Sequence, residues 1–157
     1  MQILVDTGVL LRAFDRSSVH QQTILKAFRK LWSDGSELVT TAQNISEFWN
    51  VSTRPAQARG GYGLSVPIVE RRVLLLERLC IVLPFSFRAY QERRRMIVTH
   101  QITGVAVHDA RLVATMTTAG ITHVLTLNEA DFRRYVGLVV LTPDGVFQAA
   151  PAPNPGP

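Results

Sequence analysis

Short runs of consecutive apolar residues alternate with segments of helical periodicity along most of this chain. The runs that predict strands are 3–5, 38–40, 81–83, 123–126 and 138–141. The segments that predict helices are 9–14, 20–32, 44–52, 65–79, 86–100 and 108–119, with Ser65 as a helix cap and a glycine-rich loop at 54–64. Strands that are apolar at successive positions are buried on both faces, which is typical of a parallel sheet between helices. We therefore predict a three-layer α/β/α fold with a central parallel sheet of about five strands.

The length and composition are those of one globular domain. The chain has 157 residues, of which 46% are hydrophobic and 18% are charged, and this excludes a largely disordered protein. We expect a folded domain over 1–143 and a flexible, Pro-rich tail over 144–157. No apolar run is long enough to cross a bilayer, and the one cysteine, Cys80, lies in an apolar run typical of a core. We expect a cytoplasmic protein with Trp32, Phe48 and Trp49 in its core.

The charge balance favours a polyanionic partner. The formal net charge is +5, and of the 17 basic residues only Lys26 and Lys30 are lysines. The planar guanidinium of Arg binds two phosphate oxygens at once, and excess positive charge speeds the encounter with polyanions. Genome base composition explains an Arg-rich sequence equally well, so charge by itself does not identify nucleic acid as the partner.

Four acidic residues stand at related places in the predicted fold. Asp6 follows the first strand, Glu47 lies in the helix after the second, Asp131 follows the fourth, and Asp109 opens the helix before the fourth. In open parallel sheets ligands bind beyond the carboxyl ends of the strands. Carboxylates gathered there repel one another unless a cation neutralises them. Mg²⁺ prefers such oxygen ligands and promotes phosphodiester cleavage, so the pattern predicts a nuclease-like metal site.

Each of these acids also has a purely structural explanation when it is taken singly. Asp6 can cap the helix that follows it, and Asp109 suits the dipole of its own helix. Glu47 and Asp131 each follow an Asn by three residues, which is close to capping-box spacing. Only the convergence of all four on one edge favours the metal site. The histidines share no zinc-ligand spacing, and no phosphate-binding glycine motif is present.

Five short motifs follow one another along the chain. They are Val5-Asp6-Thr7-Gly8-Val9-Leu10-Leu11, Ile45-Ser46-Glu47-Phe48-Trp49-Asn50-Val51, Gly61-Tyr62-Gly63-Leu64-Ser65, Gly104 with Val107-His108-Asp109-Ala110-Arg111-Leu112-Val113-Ala114, and Leu125-Thr126-Leu127-Asn128-Glu129-Ala130-Asp131-Phe132. In this order they resemble the motifs of the PIN-domain ribonucleases, and in particular of VapC-like toxins from bacterial toxin–antitoxin pairs. The resemblance spans about residues 3–143.

The resemblance implies roles for particular residues. The family's acidic quartet maps onto four carboxylates, which would hold Mg²⁺ or Mn²⁺, with Thr7, Thr126 and Asn128 beside them. Those four carboxylates are Asp6, Glu47, Asp109 and Asp131. Arg133 and Arg134 are candidates for contacting substrate because they lie next to Asp131. Gly8 departs from the Asn that is frequent in the family. The resemblance further implies an RNA substrate, a small antitoxin partner and a homodimer.

Other functions are compatible with the same motifs. The chain could be a PIN-like RNA-processing nuclease without a toxin role, or a non-catalytic RNA-binding or interaction module. Retention of all four acids argues against the idle module. A metal-dependent phosphatase would need an Asp nucleophile and a phosphate-binding lysine, and neither Lys26 nor Lys30 is near a strand end. We expect an endoribonuclease toxin.

Overall fold

The computed structural model describes residues 1–58 and 60–148. Its strands are β1 (Gln2–Val5), β2 (Glu37–Thr41), β3 (Ile81–Leu83), β4 (His123–Leu125) and β5 (Val139–Leu141). Its helices are α1 (Thr7–Ala13), α2 (Gln21–Ser33), α3 (Ala42–Thr53), α4 (Val66–Leu79), α5 (Phe87–Thr99) and α6 (Ala106–Ala119). Short 3₁₀-helices occupy Glu129–Asp131 and Gly145–Phe147. The strands form one parallel sheet in the order β3-β2-β1-β4-β5, which confirms the predicted architecture.

The sheet separates two apolar cores, because successive side chains of a strand point to opposite faces. Ile3 and Val5 of the central strand β1 pack with residues of α1–α4, whereas Leu4 packs with residues of α5 and α6. All three side chains are fully buried. This two-sided burial explains why the strands are apolar at consecutive positions. Cys80 belongs to the first core, as predicted.

Three helices, α1, α3 and α6, begin two residues earlier than the sequence indicated. Helix α1 begins at Thr7 because the carbonyl of Asp6 already accepts hydrogen bonds from the amides of Val9 and Leu10. Helix α6 begins at Ala106, which leaves Asp109 in its first turn. Both acids are therefore held next to the start of a helix, where exposed amide groups favour negative charge.

The expected capping roles were partly wrong. Thr41, and not Asn44, caps α3: its hydroxyl accepts a hydrogen bond from the amide of Asn44 at 3.1 Å. Ser65 occupies the cap position of α4 but makes no capping bond with its side chain, and the amide of Ile68 donates to its carbonyl instead. The prediction that Trp32 is a core residue was also wrong, since 37% of it is exposed on α2.

The beginning of the segment predicted as a tail is folded in the structure. The 3₁₀-helix Gly145–Phe147 lies inside the segment 144–157, and its Val146 packs against the first core. The Pro-rich stretch after residue 148 lies outside the described residues, so the expected flexibility of that stretch stays a prediction. Within the described residues, no helix is both long enough and apolar enough to cross a membrane.

Two glycines allow a matched test of the packing. A Cβ added to Gly61 would overlap the carbonyl oxygen of Pro55 and lie 2.6 Å from that of Arg54. A Cβ on Gly8, within α1, would make ordinary contacts of 3.6 and 3.7 Å. We expect Gly61→Ala to lower the free energy of unfolding by about 1–3 kcal/mol. We expect Gly8→Ala to raise it by up to about 1 kcal/mol. Urea denaturation measures both, and equal effects would contradict the described loop.

Candidate active site

The four acids singled out in the sequence come from four separate segments and act on one another through space. Asp109 on α6 feels the negative charges of Asp131, Asp6 and Glu47, and Asp6 feels those of Glu47 and Asp131. Asp6 stands directly beyond β1, and its amide donates to the carbonyl of Leu125 at the end of the adjacent strand β4. The carboxyl edge of the sheet therefore carries a concentrated negative charge.

Asp6 is the most deeply enclosed of these groups. It stands at the cap position of α1, but its side chain makes no capping bond, so helix capping does not account for it. Its Oδ2 accepts a hydrogen bond from the Thr126 hydroxyl at 3.0 Å. Burial is the main cause that raises the pKa of Asp6, and the Thr126 hydroxyl and the Thr7 amide offset part of this rise. The neighbouring negative charges raise the pKa of Asp6 further.

Glu47 is held by two donors that bind different oxygens of its carboxylate. The Thr7 hydroxyl donates to Oε2 at 2.8 Å, and Gln43 Nε2 donates to Oε1 at 2.7 Å. Gln43 lies one turn earlier on α3, and the same amide nitrogen reaches the carbonyl of His108 on α6 at 3.3 Å. These bonds fix Glu47 toward α1 and α6, and they rule out the capping-box reading of this residue.

Asp131 and Asp109 complete the acidic group. Asp131 Oδ2 accepts from Asn128 Nδ2 at 2.5 Å, and the Asn128 amide in turn donates to the Thr126 hydroxyl at 3.1 Å. This contact replaces the capping bond considered for Asp131. Burial and the three other acids raise the pKa of Asp109 to about 6, and the positive charge of Arg134 opposes this rise. Arg133 and Arg134 are both exposed, and of the two only Arg134 has an electrostatic effect on Asp109.

The donor set fits a hard divalent cation better than it fits any other common group. All four side chains offer oxygen, and the two ion pairs of the described residues, Lys30–Asp34 and Arg95–Glu92, involve none of them. Within residues 1–58 and 60–148, however, no three His, Cys, Asp or Glu side chains converge closely enough to form a metal cage. Mg²⁺ does not need such a cage, because it is commonly held by one or two carboxylates, several waters and substrate phosphates.

Three residues that serve this edge were missed in the sequence. Gln43 links Glu47 to α6, and its spacing of four residues before Glu47 could have indicated this contact. Asn44 is buried and donates to the carbonyl of Val5 at 3.0 Å, which fixes the start of α3 against the end of β1. Tyr135 is buried near Asp109, and burial together with that acid raises the pKa of Tyr135 to about 12. No sequence spacing connects Tyr135 with Asp109.

The fold is that of a known family. The chain belongs to the PIN domain family, whose model matches residues 3–138. Among curated proteins, none matches the chain at a significant level.

Solved structures of VapC and VapBC proteins share the fold at low sequence identity. VapBC-1 from nontypeable Haemophilus influenzae is 15% identical, with a TM-score of 0.65 over 92% of this chain and 99% of that one. VapBC2 from Rickettsia felis, bound to a promoter DNA fragment, is 12% identical, with a TM-score of 0.63 over 90% and 98%. VapC20 from Mycobacterium tuberculosis is 17% identical, with a TM-score of 0.61 over 83% and 92%.

The mutual repulsion of the acids predicts a stability change. When folding raises the pKa of a carboxyl, the folded protein loses stability as the pH rises through that pKa. At pH 8 Asp109 is ionised, so its full unfavourable contribution to the free energy of unfolding is present. We expect Asp109→Asn to stabilise the metal-free protein at pH 8 by about 1 kcal/mol after allowance for solvent screening. Urea denaturation in EDTA measures this change. Glu70→Gln, at an exposed position on α4, is the control and should change little. A clear loss of stability in Asp109→Asn would contradict the repulsion.

Proposed function

We propose that this chain is a metal-dependent endoribonuclease and the toxin of a toxin–antitoxin pair. The observation that carries the proposal is the electrostatic interaction among four acids: Asp109 feels the negative charges of Asp131, Asp6 and Glu47, and Asp6 feels those of Glu47 and Asp131. A buried carboxylate beside two more, as at Asp6, is costly to the fold, and such a cost is typical of sites kept for chemistry. Membership of the PIN domain family supports the same reading.

The residues of the site divide the work of holding a cation and the RNA. Asp6 and Asp109 are proposed as the principal ligands, with Glu47 and Asp131 binding directly or through water. Mg²⁺ or Mn²⁺, when bound, supplies positive charge that activates water and offsets the charge that develops on the cleaved phosphodiester. Thr126 and Asn128 position Asp6 and Asp131 through their hydrogen bonds, as Thr7 and Gln43 position Glu47.

Arg134 is proposed to hold the substrate. Its positive charge acts on Asp109, so its guanidinium stands within electrostatic reach of the proposed cation site. A guanidinium at this place binds phosphate oxygens of the RNA. It does not compete with the metal cation, because both are positively charged and both attract the same phosphate. Arg133, its exposed neighbour, is proposed to add attraction for the strand at longer range.

RNA is proposed as the substrate because of the relatives and the charge. VapC20, one of the proteins that share the fold, is described as a toxin that cleaves the sarcin–ricin loop. The net charge of +5 and the predominance of Arg suit a polyanionic substrate. A phosphodiester carries the negative charge that Mg²⁺ would offset. The acidic site would hold the cation, and the net positive charge of the protein would attract the RNA, so both features suit the same reaction.

The first functional prediction is loss of cleavage without loss of fold. We expect Asp109→Asn and Asp6→Asn to lower the rate of RNA cleavage at least a hundredfold, because the amide keeps the shape but loses the charge that binds the cation. We expect Asp131→Asn to have a milder effect. Chelation should stop the wild-type reaction, and Mg²⁺ or Mn²⁺ should restore it. The assay maps new ends in total RNA.

Glu129→Gln is the matched control, since it removes a neighbouring exposed acid of the same 3₁₀-helix that is not among the four. It should cleave at nearly the wild-type rate. Cleavage by the pure wild-type protein that survives exhaustive chelation would exclude the metal mechanism. Wild-type rates in Asp109→Asn would reduce that residue to a helix-dipole role.

An antitoxin partner is proposed from the relatives that share the fold. Three of them were solved as VapBC proteins, and a fourth, from Klebsiella pneumoniae, as a toxin–antitoxin complex. This chain offers an apolar groove of about 250 Å³ between α1, α2 and α4 that suits an amphipathic segment of such a partner. The groove is lined by Ala13, Phe14, Leu25, Phe28, Arg29, Trp32, Leu75 and Leu79. Helix α1 joins the groove to Asp6 over about 10 Å, so a basic side chain beyond the docked segment could reach the acids.

The second functional prediction concerns toxicity. We expect expression of the chain alone to arrest growth, Asp6→Asn to relieve the arrest, and a small protein encoded beside it to relieve it by binding. Leu75→Asp should keep the arrest but lose the relief, because it places a charge in the groove. Val19→Asp, at a position 88% exposed, is the control. Growth curves and co-purification measure these outcomes, and harmless expression of intact wild-type protein would exclude the toxin role while leaving the nuclease.

A homodimer in the cytoplasm completes the proposal. Both features come from the resemblance to VapC-like toxins. Light scattering on the purified chain measures its mass in solution, and fractionation of cells locates it. A monomer that cleaves RNA at full rate would remove dimerisation from the proposal and leave the chemistry unchanged.

A further inference from the structure

Two arginines from different helices pack on one aromatic ring beside the acidic edge. The guanidinium carbon of Arg111, on α6, lies 4.3 Å from the centre of the Phe85 ring, and that of Arg93, on α5, lies 5.7 Å from the same centre. Arg93 is also 5.7 Å from the ring of Tyr90. Cation–π contact with the same ring holds each guanidinium in place.

No carboxylate of the described residues neutralises this pair. The nearest acid on the same helix, Glu92, is bound by both Arg95 Nε and Arg95 Nη2, at 2.9 and 2.6 Å. The Nε atoms of Arg93 and Arg111 are buried and lack hydrogen-bond partners. Buried donors without partners are rare in folded proteins. A phosphate bound at this cluster would supply acceptors and a negative charge to two arginines that have no carboxylate partner among the described residues.

The cluster lies on a flank of the acidic site. Phe85 comes two residues after the end of β3, and two strand spacings, or about 10 Å, separate β3 from β1 and its Asp6. Arg111 follows Asp109 by two residues on α6, so their side chains diverge by about 200° around the helix axis. Asp109 faces the other acids while Arg111 faces Phe85. Arg134 stands near the acids from the segment after β4.

Exposed aromatic rings extend the cluster and favour a nucleic acid as its ligand. Tyr90 and Phe87 stack with their ring centres 5.9 Å apart, and they are 41% and 72% exposed. Open aromatic faces accept the bases of single-stranded nucleic acids, while Arg beside them binds the backbone. An acidic protein segment would use the charges but would have no need of the rings.

We propose that Phe85, Arg93 and Arg111 form a phosphate-binding subsite for single-stranded RNA, with Tyr90 stacking a base beside it. This subsite rests on the proposed ribonuclease function and deepens it, since it positions the strand on one side of the acids while Arg134 holds it near the cleaved bond. Its ligand is a phosphodiester distinct from the one that is cut. The subsite contributes to binding and not to the chemical step.

The test measures binding of a fluorescent single-stranded oligoribonucleotide to the full chain in EDTA, by anisotropy at several salt concentrations. We expect Arg93→Gln and Arg111→Gln each to raise Kd roughly tenfold. Each should also reduce the slope of log K against log salt by about 0.7, the value for one lost phosphate contact with a single strand. Arg93→Lys and Arg111→Lys should keep the wild-type slope because they keep the positive charge. Tyr90→Ala should raise Kd roughly tenfold without changing the slope.

Cleavage assays with Mg²⁺ provide a second readout. The Gln variants should raise KM and leave kcat close to wild type, a separation that a general loss of structure would not produce. Arg78→Gln is the matched control: Arg78 is exposed on α4 and lies with Ser36 and Glu37 at the opposite edge of the sheet. If Arg111→Gln does not fold, Arg93→Gln and Tyr90→Ala on α5 carry the test.

Three results overturn the subsite. The first is a wild-type Kd and salt slope in the folded Arg variants, which is also the outcome if the cluster receives an acidic protein segment. The second is equal weakening by Arg78→Gln, which would indicate diffuse attraction by net charge. The third is no RNA binding by the wild-type chain, which would overturn the proposed substrate as well. Unchanged RNA binding in the Arg variants beside normal metal-dependent cleavage would leave the ribonuclease intact and remove only the subsite.

Discussion

The hydrogen bond from the Thr126 hydroxyl to Asp6 joins the two central features of this molecule, its sheet and its acids. The pairing of β1 with β4 sets Val5 opposite Leu125, so the residues that follow each strand come together. At that point the fold places a buried carboxylate, and Thr126 supplies the donor that makes the burial tolerable. Asn128 binds the same hydroxyl and then Asp131, so one Thr organises two of the four acids.

The surroundings of the acids show how the chain manages an unfavourable gathering of charge. Neutral donors, and no lysine or arginine ion pair of the described residues, engage Glu47, Asp6 and Asp131. Neutral partners orient the carboxylates without cancelling their charge. The positive charges stand further out, with Arg134 near Asp109 and the pair Arg93 and Arg111 around Phe85. Such an arrangement has a negatively charged centre and positively charged flanks.

The sequence was sufficient for the layers of the fold and for the place of each acid, because consecutive apolar residues and strand ends are local signals. The resemblance of five motifs in order identified the family. The sequence was insufficient where a contact joins segments that are distant along the chain. Gln43 reaches α6, Tyr135 lies beside Asp109, and Phe85 receives two arginines, and none of these pairings has a characteristic spacing between the partners. Capping was misjudged at Asn44 because Thr41 is equally able to cap, and only the end of β2 decides between them.

The distance along the chain between Asp6 and Thr126 also determines when the site can form. These residues are 120 positions apart, and β4 must pair with β1 before their side chains meet. During synthesis β1 emerges from the ribosome long before β4, which is made near the end of the domain, because chains emerge from the amino terminus. Contacts of such long range form late in folding as well. The acidic edge is therefore assembled only after nearly the whole domain has left the ribosome, so the nascent chain emerges with its acidic residues still apart.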